Sequence, residues 1–505
     1  MKEIARLVVP ALRWDDAHGF RYIEGRIDDA LELGVGGFLV QGGPRDEVAA
    51  LIARLHAESR APILVAAHAE RGAGQAVVGL TELPCFGALG SVAMVEGDDA
   101  LPSLDVEVVR RAARLTAREL RSVGMNWALA PVCDLDLARG SARVGIRGGG
   151  SDPAVVSAIV AEWVDACQSE SVVACAMHFP GIGRMLETGT VRDSASILRL
   201  ADLAPFVAAI DGGAACVMVS PASVPALGAP EGAMRSAALV ENLLRNELHF
   251  DGIVVTVPFD REPGFDAAHE PAHAIAAVAA GCDLILAPSD LAGVVDALTK
   301  AAMSGELVIS RVREAIGRVD RWAGWGRPNA DAPAREASLD DVMWSRQLAD
   351  QCVRFVSGQR PRVGATIEVV NVIHAGSRAR VTAFGDTLRS LHIEVAESAA
   401  PAAAERAPLA VQFVPDDTVG EAVTRDELDR ARAVIAPATK AGRDTVIIAY
   451  CHPRAAAALG RDLSIVCAWE PTRTMQQAAA RALFTASRER PTSGRARAAR
   501  RVSRR

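Results

Sequence analysis

The chain has 505 residues, of which 50% are hydrophobic and 23% are charged, and its formal net charge is -7. This length exceeds one ordinary hydrophobic core and predicts two domains, while the hydrophobic fraction predicts a globular body. The negative charge gives the folded part no basis for binding nucleic acid, and the sequence contains no apolar run of about 18 residues, as a membrane span would need.

The cysteines and the amino terminus indicate the compartment. Nine cysteines are scattered through apolar runs without the close pairs of a zinc site, which predicts buried thiols in a reducing environment. Residues 1–10 lead directly into a strand-like run and lack the features of a signal peptide. We therefore expect cytoplasmic residence, no membrane association and no cofactor.

Eight apolar runs with the character of strands alternate with Ala-, Leu- and Arg-rich segments of helical periodicity, such as 106–122 and 290–303. Wide spacing between such runs favours parallel pairing through right-handed crossovers, so we predict a (β/α)₈ barrel over residues 1–323. The runs are 7–12, 36–40, 63–67, 126–132, 172–178, 215–220, 253–256 and 284–287.

A second unit follows the predicted barrel. Residues 324–338 carry helix breakers and read as a linker, and residues 339–486 predict a smaller α/β sandwich domain with an open sheet. Its expected strands are 367–373, 409–413, 446–449 and 463–468. The Arg-rich segment 487–505 predicts a disordered tail, with a nucleic-acid or anionic-surface contact as the alternative.

The segment 176–184, Ala-Met-His-Phe-Pro-Gly-Ile-Gly-Arg, closes a short apolar run that begins at Val172. Pro180 and Gly181 bound the run sharply, as expected for a buried parallel strand that ends in a functional turn. His178 therefore lies at the carboxyl end of a predicted strand, where barrel enzymes keep their chemistry.

This segment resembles the Lys-His-Phe-Pro-Gly-His-Gly signature of glycoside hydrolase family 3, closest to bacterial β-N-acetylhexosaminidases. The resemblance implies the same barrel, often followed by an α/β sandwich, and covers roughly the first two thirds of the chain. Further stretches typical of the family occur in the same order: 130–134, 147–153, 202–206 and 250–256.

The resemblance places a valine at the nucleophile position. A retaining glycosidase needs a carboxylate nucleophile, and the family's Asp directly follows the Val-Val-Thr strand end, where this chain has Val257. Asp260 is the nearest carboxylate along the chain. It could substitute only if the loop at Pro258 folds back over the barrel mouth, and Glu262 is the next candidate.

The proton-shuttle position is also changed. The resemblance implies an Asp-Ser-His triplet on the loop after the Phe-Pro-Gly turn, and the counterpart here ends in Ala195. The loop also contains Arg184, Glu187 and Arg192. Glu187 could act as a general acid if it were desolvated, and an exposed loop residue is the alternative.

The sugar-binding positions are mixed. The family's Asp after the third strand is His68 here, and the Lys of its Lys-His pair is Met177. Four residues keep the expected types at matching strand ends and are candidates for ligand contact: Asp134, Arg147, Asp152 and His178. The structural alternatives are that Asp134 caps a loop or helix, that Arg147 pairs with it, and that His178 only supports other residues.

A His-Glu-x-x-His pattern occurs at His269, Glu270 and His273. Zinc binding by this pattern requires both histidines on one face of a helix. Pro271 is best tolerated in a first helical turn, which would place His269 before the helix. We therefore predict no metal site.

Two functions stay open. The first is hydrolysis of β-glycosides, with terminal β-N-acetylglucosaminides as the expected substrates and Asp260 or Glu262 as a relocated nucleophile. The second is a degenerate family member that binds a saccharide or a muropeptide-type ligand, or that serves a protein partner. Four changes favour the second function, at Val257, Ala195, Met177 and His68.

Overall fold

The structure is a computed structural model of the whole chain. It describes residues 3–96, 102–138, 143–261, 268–327, 337–375, 377, 379–401, 407–415, 423–460 and 462–484. Most of the predicted linker and the Arg-rich segment lie outside these ranges, so those two predictions stay untested.

The first unit is an α/β domain with a curled parallel sheet. Seven strands pair in parallel, and Ile285–Leu286 continues the pairing, since it pairs with Val8–Val9 and Leu284 bridges to Val255. All eight predicted strand regions are confirmed, and the pairing is consistent with the expected barrel. The strands of the curled sheet are Val8–Val9, Ala11–Arg13, Gly37–Gln41, Leu64–His68, Trp127–Leu129, Val173–Phe179, Cys216–Val219, Ile253–Thr256 and Ile285–Leu286.

Helices cover this sheet and explain its apolar strands. Every residue of Val173–Phe179 is buried, because one face of the strand packs inside the curled sheet and the other packs under helices. The larger helices are Glu24–Leu33, Arg45–Glu58, Phe86–Ala93, Val106–Ser122, Pro153–Ser169, Ala204–Asp211, Ala238–Glu247, Glu270–Ala279, Leu291–Ser304 and Ile309–Trp325.

Two predicted helices show how local signals set their ends. The Asp105 carboxylate accepts a hydrogen bond from the Glu107 amide at the start of Val106–Ser122. Asp290 accepts one from the Gly293 amide at the start of Leu291–Ser304, and this helix ends at Gly305, whose φ of 83° is left-handed. Both ends follow the usual preference for Asp at a helix start and Gly after its end.

The second unit contains a six-stranded sheet with helices on both faces. The four predicted strands are confirmed, and the sheet order is Arg354–Ser357, Ser464–Cys467, Thr445–Ala449, Leu409–Val414, Thr366–Ile373 and Glu394–Ser398. The assignment of residues 339–486 to an α/β sandwich domain stays a prediction. The helices are Leu339–Cys352, Thr382–Ser390, Arg425–Lys440, Pro453–Ala457 and Arg473–Ala482.

The sequence analysis missed both edge strands of this sheet. Glu394–Ser398 is a largely exposed edge strand with two glutamates, so it lacks the apolar alternation of a strand pattern. Arg354–Ser357 follows a helix almost at once and is the one antiparallel member of the described sheet. Across the described residues, no helix is both long and apolar enough to cross a lipid bilayer.

The carboxylate of Asp283 joins two neighbouring strands of the curled sheet. It is fully buried, accepts a hydrogen bond from the Val254 amide at 2.9 Å and forms ion pairs with Arg245 at 2.6 Å and with Arg311. Arg318 lies 3.3 Å away. Removing one partner of such a group leaves buried charges uncompensated.

We therefore expect Asp283→Ala to lower the free energy of unfolding by about 3–5 kcal/mol. Asp296→Ala is the matched control, since it removes an exposed pair with Lys300 and should change the free energy by less than about 0.5 kcal/mol. Urea unfolding monitored by the fluorescence of buried Trp127 and Trp163 measures both. Equal stability of the two variants would contradict the structural role of Asp283.

Candidate functional site

A buried Asp–His pair forms the base of the candidate site. Asp134 follows the strand Trp127–Leu129, and its carboxylate lies 2.7 Å from Nδ1 of His178. The same carboxylate accepts the Ile182 amide at 2.9 Å. A parallel bridge between Val132 and Met177 aligns the two segments. Asp134 thus fixes both the imidazole and the turn after the strand Val173–Phe179.

A second, partly buried pair lies beside the first. Arg147 binds Glu70 through two hydrogen bonds, both 2.8 Å long, from Nε and Nη2. Nη2 of Arg147 also lies 3.3 Å from Nε2 of His178. Because a guanidinium can only donate, Nε2 accepts, and the imidazole proton is on Nδ1, facing Asp134. We call these four residues the polar network: Glu70, Asp134, Arg147 and His178.

Charge complementarity stabilises the ionised forms of this network. Burial would raise the pKa of the Glu70 carboxyl, but the Arg147 guanidinium outweighs burial and lowers the pKa to about 2. Burial would lower the pKa of Arg147, and Glu70 reverses this to give a raised value. Glu70 therefore stays an anion and Arg147 a cation at neutral pH.

The network settles several structural alternatives. Asp134 does fix a loop, as one alternative held, but Arg147 pairs with Glu70 and not with Asp134. Sequence analysis missed Glu70, although it lies two residues beyond His68 at the end of the strand Leu64–His68. Its position after a buried strand was the available signal. Its partner, 77 residues away, could not be inferred from local periodicity.

The nucleophile position is apolar in the structure. Val257 follows the strand Ile253–Thr256, is 3% exposed and belongs to the barrel core. The hydroxyl of Thr256 donates to the Val257 carbonyl at 3.0 Å and accepts the Leu286 amide at 3.1 Å. These contacts hold the strand end in place with no carboxylate at this position.

Asp260 lies in a different environment from the polar network. Its carboxylate forms an ion pair with Arg13, and its amide donates to Ala287. It lines a cavity of about 1090 Å³ beside the helices Glu24–Leu33 and Leu291–Ser304, and no member of the polar network is among the described lining residues. The structure therefore does not bring Asp260 together with the network, and Glu262 lies outside the described residues.

Residues of the loop after residue 180 do not occupy the positions that the expected proton-transfer roles require. Arg184 binds Asp193 at 3.0 Å and buried Asp202 at 2.8 Å, which ties the counterpart of the shuttle triplet to a neighbouring helix. Ala195 begins the short helix Ala195–Ile197. Glu187 is exposed, so the desolvation that an acid role requires is not seen.

The remaining residues of the predicted sugar-binding positions are His68, Met177 and Asp152, and they lie in different environments. His68 ends its strand close enough to Glu70 for its charge to contribute to the lowered pKa of that carboxyl. Met177 is fully buried, so it adds only apolar surface. Asp152 accepts the Ala154 amide at 2.8 Å and caps the helix Pro153–Ser169, which is a structural role.

The His-Glu-x-x-His segment is part of the barrel framework. The helix Glu270–Ala279 begins after His269 and has Pro271 in its first turn, as predicted. Glu270 is buried and accepts the amides of Ser289 and Asp290. Among the residues that the structure describes, no group of His, Cys, Asp and Glu could hold a metal ion.

Comparison with known proteins identifies the family. The model of the glycosyl hydrolase family 3 N terminal domain matches residues 30–322. A β-hexosaminidase of Xanthomonas campestris pv. campestris (strain B100) is 32% identical over 304 residues, which cover 58% of this chain and 87% of that protein. The chain belongs to glycoside hydrolase family 3. Within this family it is close to the bacterial β-N-acetylhexosaminidases.

Two further matches agree with this assignment. A β-hexosaminidase of Stenotrophomonas maltophilia (strain K279a) is 34% identical over 248 residues, or 48% of this chain and 72% of that protein. The structure of a family 3 β-N-acetylglucosaminidase from Paenibacillus sp. superposes with a TM-score of 0.77 at 22% identity, covering 95% of this chain and 96% of that one. At this identity the second likeness shows the fold alone.

The lowered pKa of Glu70 predicts how stability depends on pH. Its folded-state value of about 2 lies below the ordinary 4.5, so its contribution is present above pH 4.5 and is lost as pH falls toward 2. Because a lowering of the pKa from 4.5 to about 2 corresponds to about 3 kcal/mol, we expect Glu70→Gln to be less stable by about this amount at pH 7.

The difference in the free energy of unfolding between the wild type and Glu70→Gln should narrow by about 1.4 kcal/mol for each unit by which pH falls below 4.5. Urea unfolding at pH 7, 5, 4 and 3 measures the difference. A constant difference over this range would show that Glu70 does not carry a stabilising charge in the folded protein.

Proposed function

We propose that the chain is a saccharide-binding member of glycoside hydrolase family 3 in which hydrolysis is lost or weak. The expected ligand is a terminal β-N-acetylglucosaminide, a muropeptide fragment or a related saccharide. The observation that carries this proposal is the contrast between an intact polar network and a buried valine where the family has its nucleophile.

Arg147 is the residue that best supports saccharide binding. Its side chain is 32% exposed although two of its nitrogens are held by Glu70. Of its five N–H bonds, two point to Glu70, one points to His178 and one points to the Arg143 carbonyl at 3.2 Å. In the described part of the chain the fifth, on Nη1, has no protein acceptor. A rigid cation with an available donor suits a sugar hydroxyl or an acetamido carbonyl.

The covalent route of hydrolysis requires groups that this chain lacks at the expected positions. A retaining mechanism needs a carboxylate below the anomeric carbon and a second group that transfers the proton. Val257 cannot form the covalent intermediate, and Ala195 cannot transfer a proton. Binding energy that remains in Arg147 and His178 would then serve ground-state affinity rather than turnover.

The alternative is an active β-N-acetylhexosaminidase or β-glucosidase with a relocated nucleophile at Asp260 or Glu262. Its support is the family and the naming of the bacterial relatives as β-hexosaminidases. The ion pair of Asp260 with Arg13 argues against it, because a paired carboxylate beside a separate cavity is poorly placed to attack.

Turnover and binding on the same sample distinguish the two functions. We expect release of nitrophenolate from aryl β-N-acetylglucosaminide and aryl β-glucoside to match that of the double variant Asp260→Ala, Glu262→Ala. Isothermal titration should nevertheless show binding of N-acetylglucosamine or its β-methyl glycoside. Turnover that the double variant abolishes would establish the active enzyme instead.

Arg147→Lys tests the site of binding, because it keeps the charge opposite Glu70 and removes the planar fork. Loss of charge-assisted hydrogen bonds worth about 1.5–3 kcal/mol should weaken saccharide binding by about 10- to 100-fold. Arg54→Lys is the matched control, since Arg54 forms surface pairs with Asp28 and Glu58. Equal affinity of both variants would place the saccharide elsewhere.

A further inference from the structure

The sheet of the second unit meets the barrel at the carboxyl ends of both sets of strands. His452 follows the strand Thr445–Ala449, and Glu470 follows the strand Ser464–Cys467. Both side chains bind residues that lie within two positions of the polar network in sequence. Side chains of the second unit therefore contact the loops that carry the network at two places.

The first place is Asp136, two residues beyond Asp134. Nε2 of His452 lies 3.0 Å from the Asp136 carboxylate, and Arg454 binds the same carboxylate through both of its terminal nitrogens, one at 2.9 Å. Nδ1 of His452 accepts the Arg454 amide at 3.1 Å, so its proton is on Nε2 and points at Asp136. We call this set the Asp136 contact.

The Asp136 contact reaches the segment that carries Arg147. The Asp136 amide donates to the Gly150 carbonyl at 2.8 Å. A Cβ added at Gly148 would lie 3.1 Å from both the Asp136 Cβ and the Asp134 carbonyl oxygen, so the two segments pack closely. Burial would raise the pKa of the Asp136 carboxyl, but His452 and Arg454 hold it below its ordinary value.

The second place is Arg71, which directly follows Glu70. Glu470 is 1% exposed, forms an ion pair with Arg71 and accepts the Cys85 amide at 2.8 Å. We call this set the Arg71 contact. Trp469 joins the two contacts, because its ring packs edge-on to His452 with a centroid distance of 5.5 Å. The same ring lies against Gly87, where an added Cβ would approach it to 2.9 Å.

We propose that the Asp136 contact and the Arg71 contact make His452, Arg454 and Glu470 positioning residues for the saccharide site. These residues fix the positions of the barrel segments that carry the network. The Asp136 contact holds the segments of Asp134 and Arg147, and the Arg71 contact holds the segment of Glu70. The second sheet thus controls the geometry of a network whose members all come from the barrel. The part of this inference that is tested by saccharide binding rests on the proposed function.

The mechanism follows from how the network is assembled. The Glu70–Arg147 pair can hold its two short hydrogen bonds only if its two segments keep their separation within a few tenths of an ångström. Neither segment is a long helix or strand at that point, since Glu70 lies beyond a strand and Arg147 ends the turn Gly145–Arg147. Charged contacts from a packed neighbour supply the rigidity that a loop lacks.

Three variants of the full chain test the proposal: Glu470→Gln, Arg454→Met and the conservative Arg454→Lys. Glu470→Gln keeps an acceptor for the Cys85 amide and removes the charge opposite Arg71. The matched control is Arg481→Met, which breaks an ion pair with Asp350 within the second unit, away from both contacts. Circular dichroism and the melting temperature verify that each variant is folded at the temperature of the assay.

The first readout is the Kd for N-acetylglucosamine by titration calorimetry at a temperature where every variant is folded. We expect Glu470→Gln and Arg454→Met to raise the Kd at least fivefold, Arg454→Lys to restore most of the affinity, and Arg481→Met to leave it unchanged. A merely structural role would lower the melting temperature and leave the Kd of the folded protein at the wild-type value, which would overturn the proposal.

The second readout does not depend on a saccharide. Amide hydrogen exchange of the unliganded protein should increase in residues 64–83 for Glu470→Gln and in residues 131–138 and 143–150 for Arg454→Met. The control should leave these segments unchanged. If the wild type binds no saccharide, the proposed function fails and exchange alone decides the positioning role. Unchanged exchange, or an increase spread evenly over the barrel, would refute it.

Discussion

The ion pair between Glu70 and Arg147 is the interaction on which the candidate site depends. It joins the loops that follow two neighbouring strands, Leu64–His68 and Trp127–Leu129, and it presents one edge of the guanidinium to His178 on the next strand. Because the Glu70 carboxylate is removed from water, the pair persists only while its two bonds are well formed. The pair therefore acts as a constraint on backbone positions as well as a source of charge.

Under the proposed function, this constraint explains how the fold of the family could keep a saccharide site after losing hydrolysis. Recognition of a saccharide needs fixed donors and acceptors, and in the proposed site these would come from residues that also hold the loops together. Val257 lies within the apolar core at the position that the family resemblance assigns to the nucleophile. Under the proposed function, the change at this position removes the covalent route, while the hydrogen bonds of the network remain formed. Membership of the family therefore does not by itself reveal what the site does. Its function has to be inferred from the residues that form it.

Sequence reasoning recovered the parts of the molecule that depend on local pattern. The buried strands stood out because Val173–Phe179 and its neighbours are continuous apolar runs bounded by Gly and Pro. Glu394–Ser398 was missed because a charged edge strand has no such pattern. Glu70 was missed because its role is defined by a partner 77 residues away. Asp152 kept a matching residue type yet serves as a helix cap, so motif identity alone did not reveal its role.

The most direct test of the central claim is intact-mass spectrometry after incubation with 5-fluoro-β-N-acetylglucosaminyl fluoride. Such a reagent has a good leaving group and a slowed second step, so a retaining nucleophile accumulates as a covalent glycosyl-enzyme. The account predicts an unmodified mass for the wild-type protein, because Val257 cannot be glycosylated. A stoichiometric mass increase that maps by peptide sequencing to Asp260, to Glu262 or to another carboxylate would contradict it.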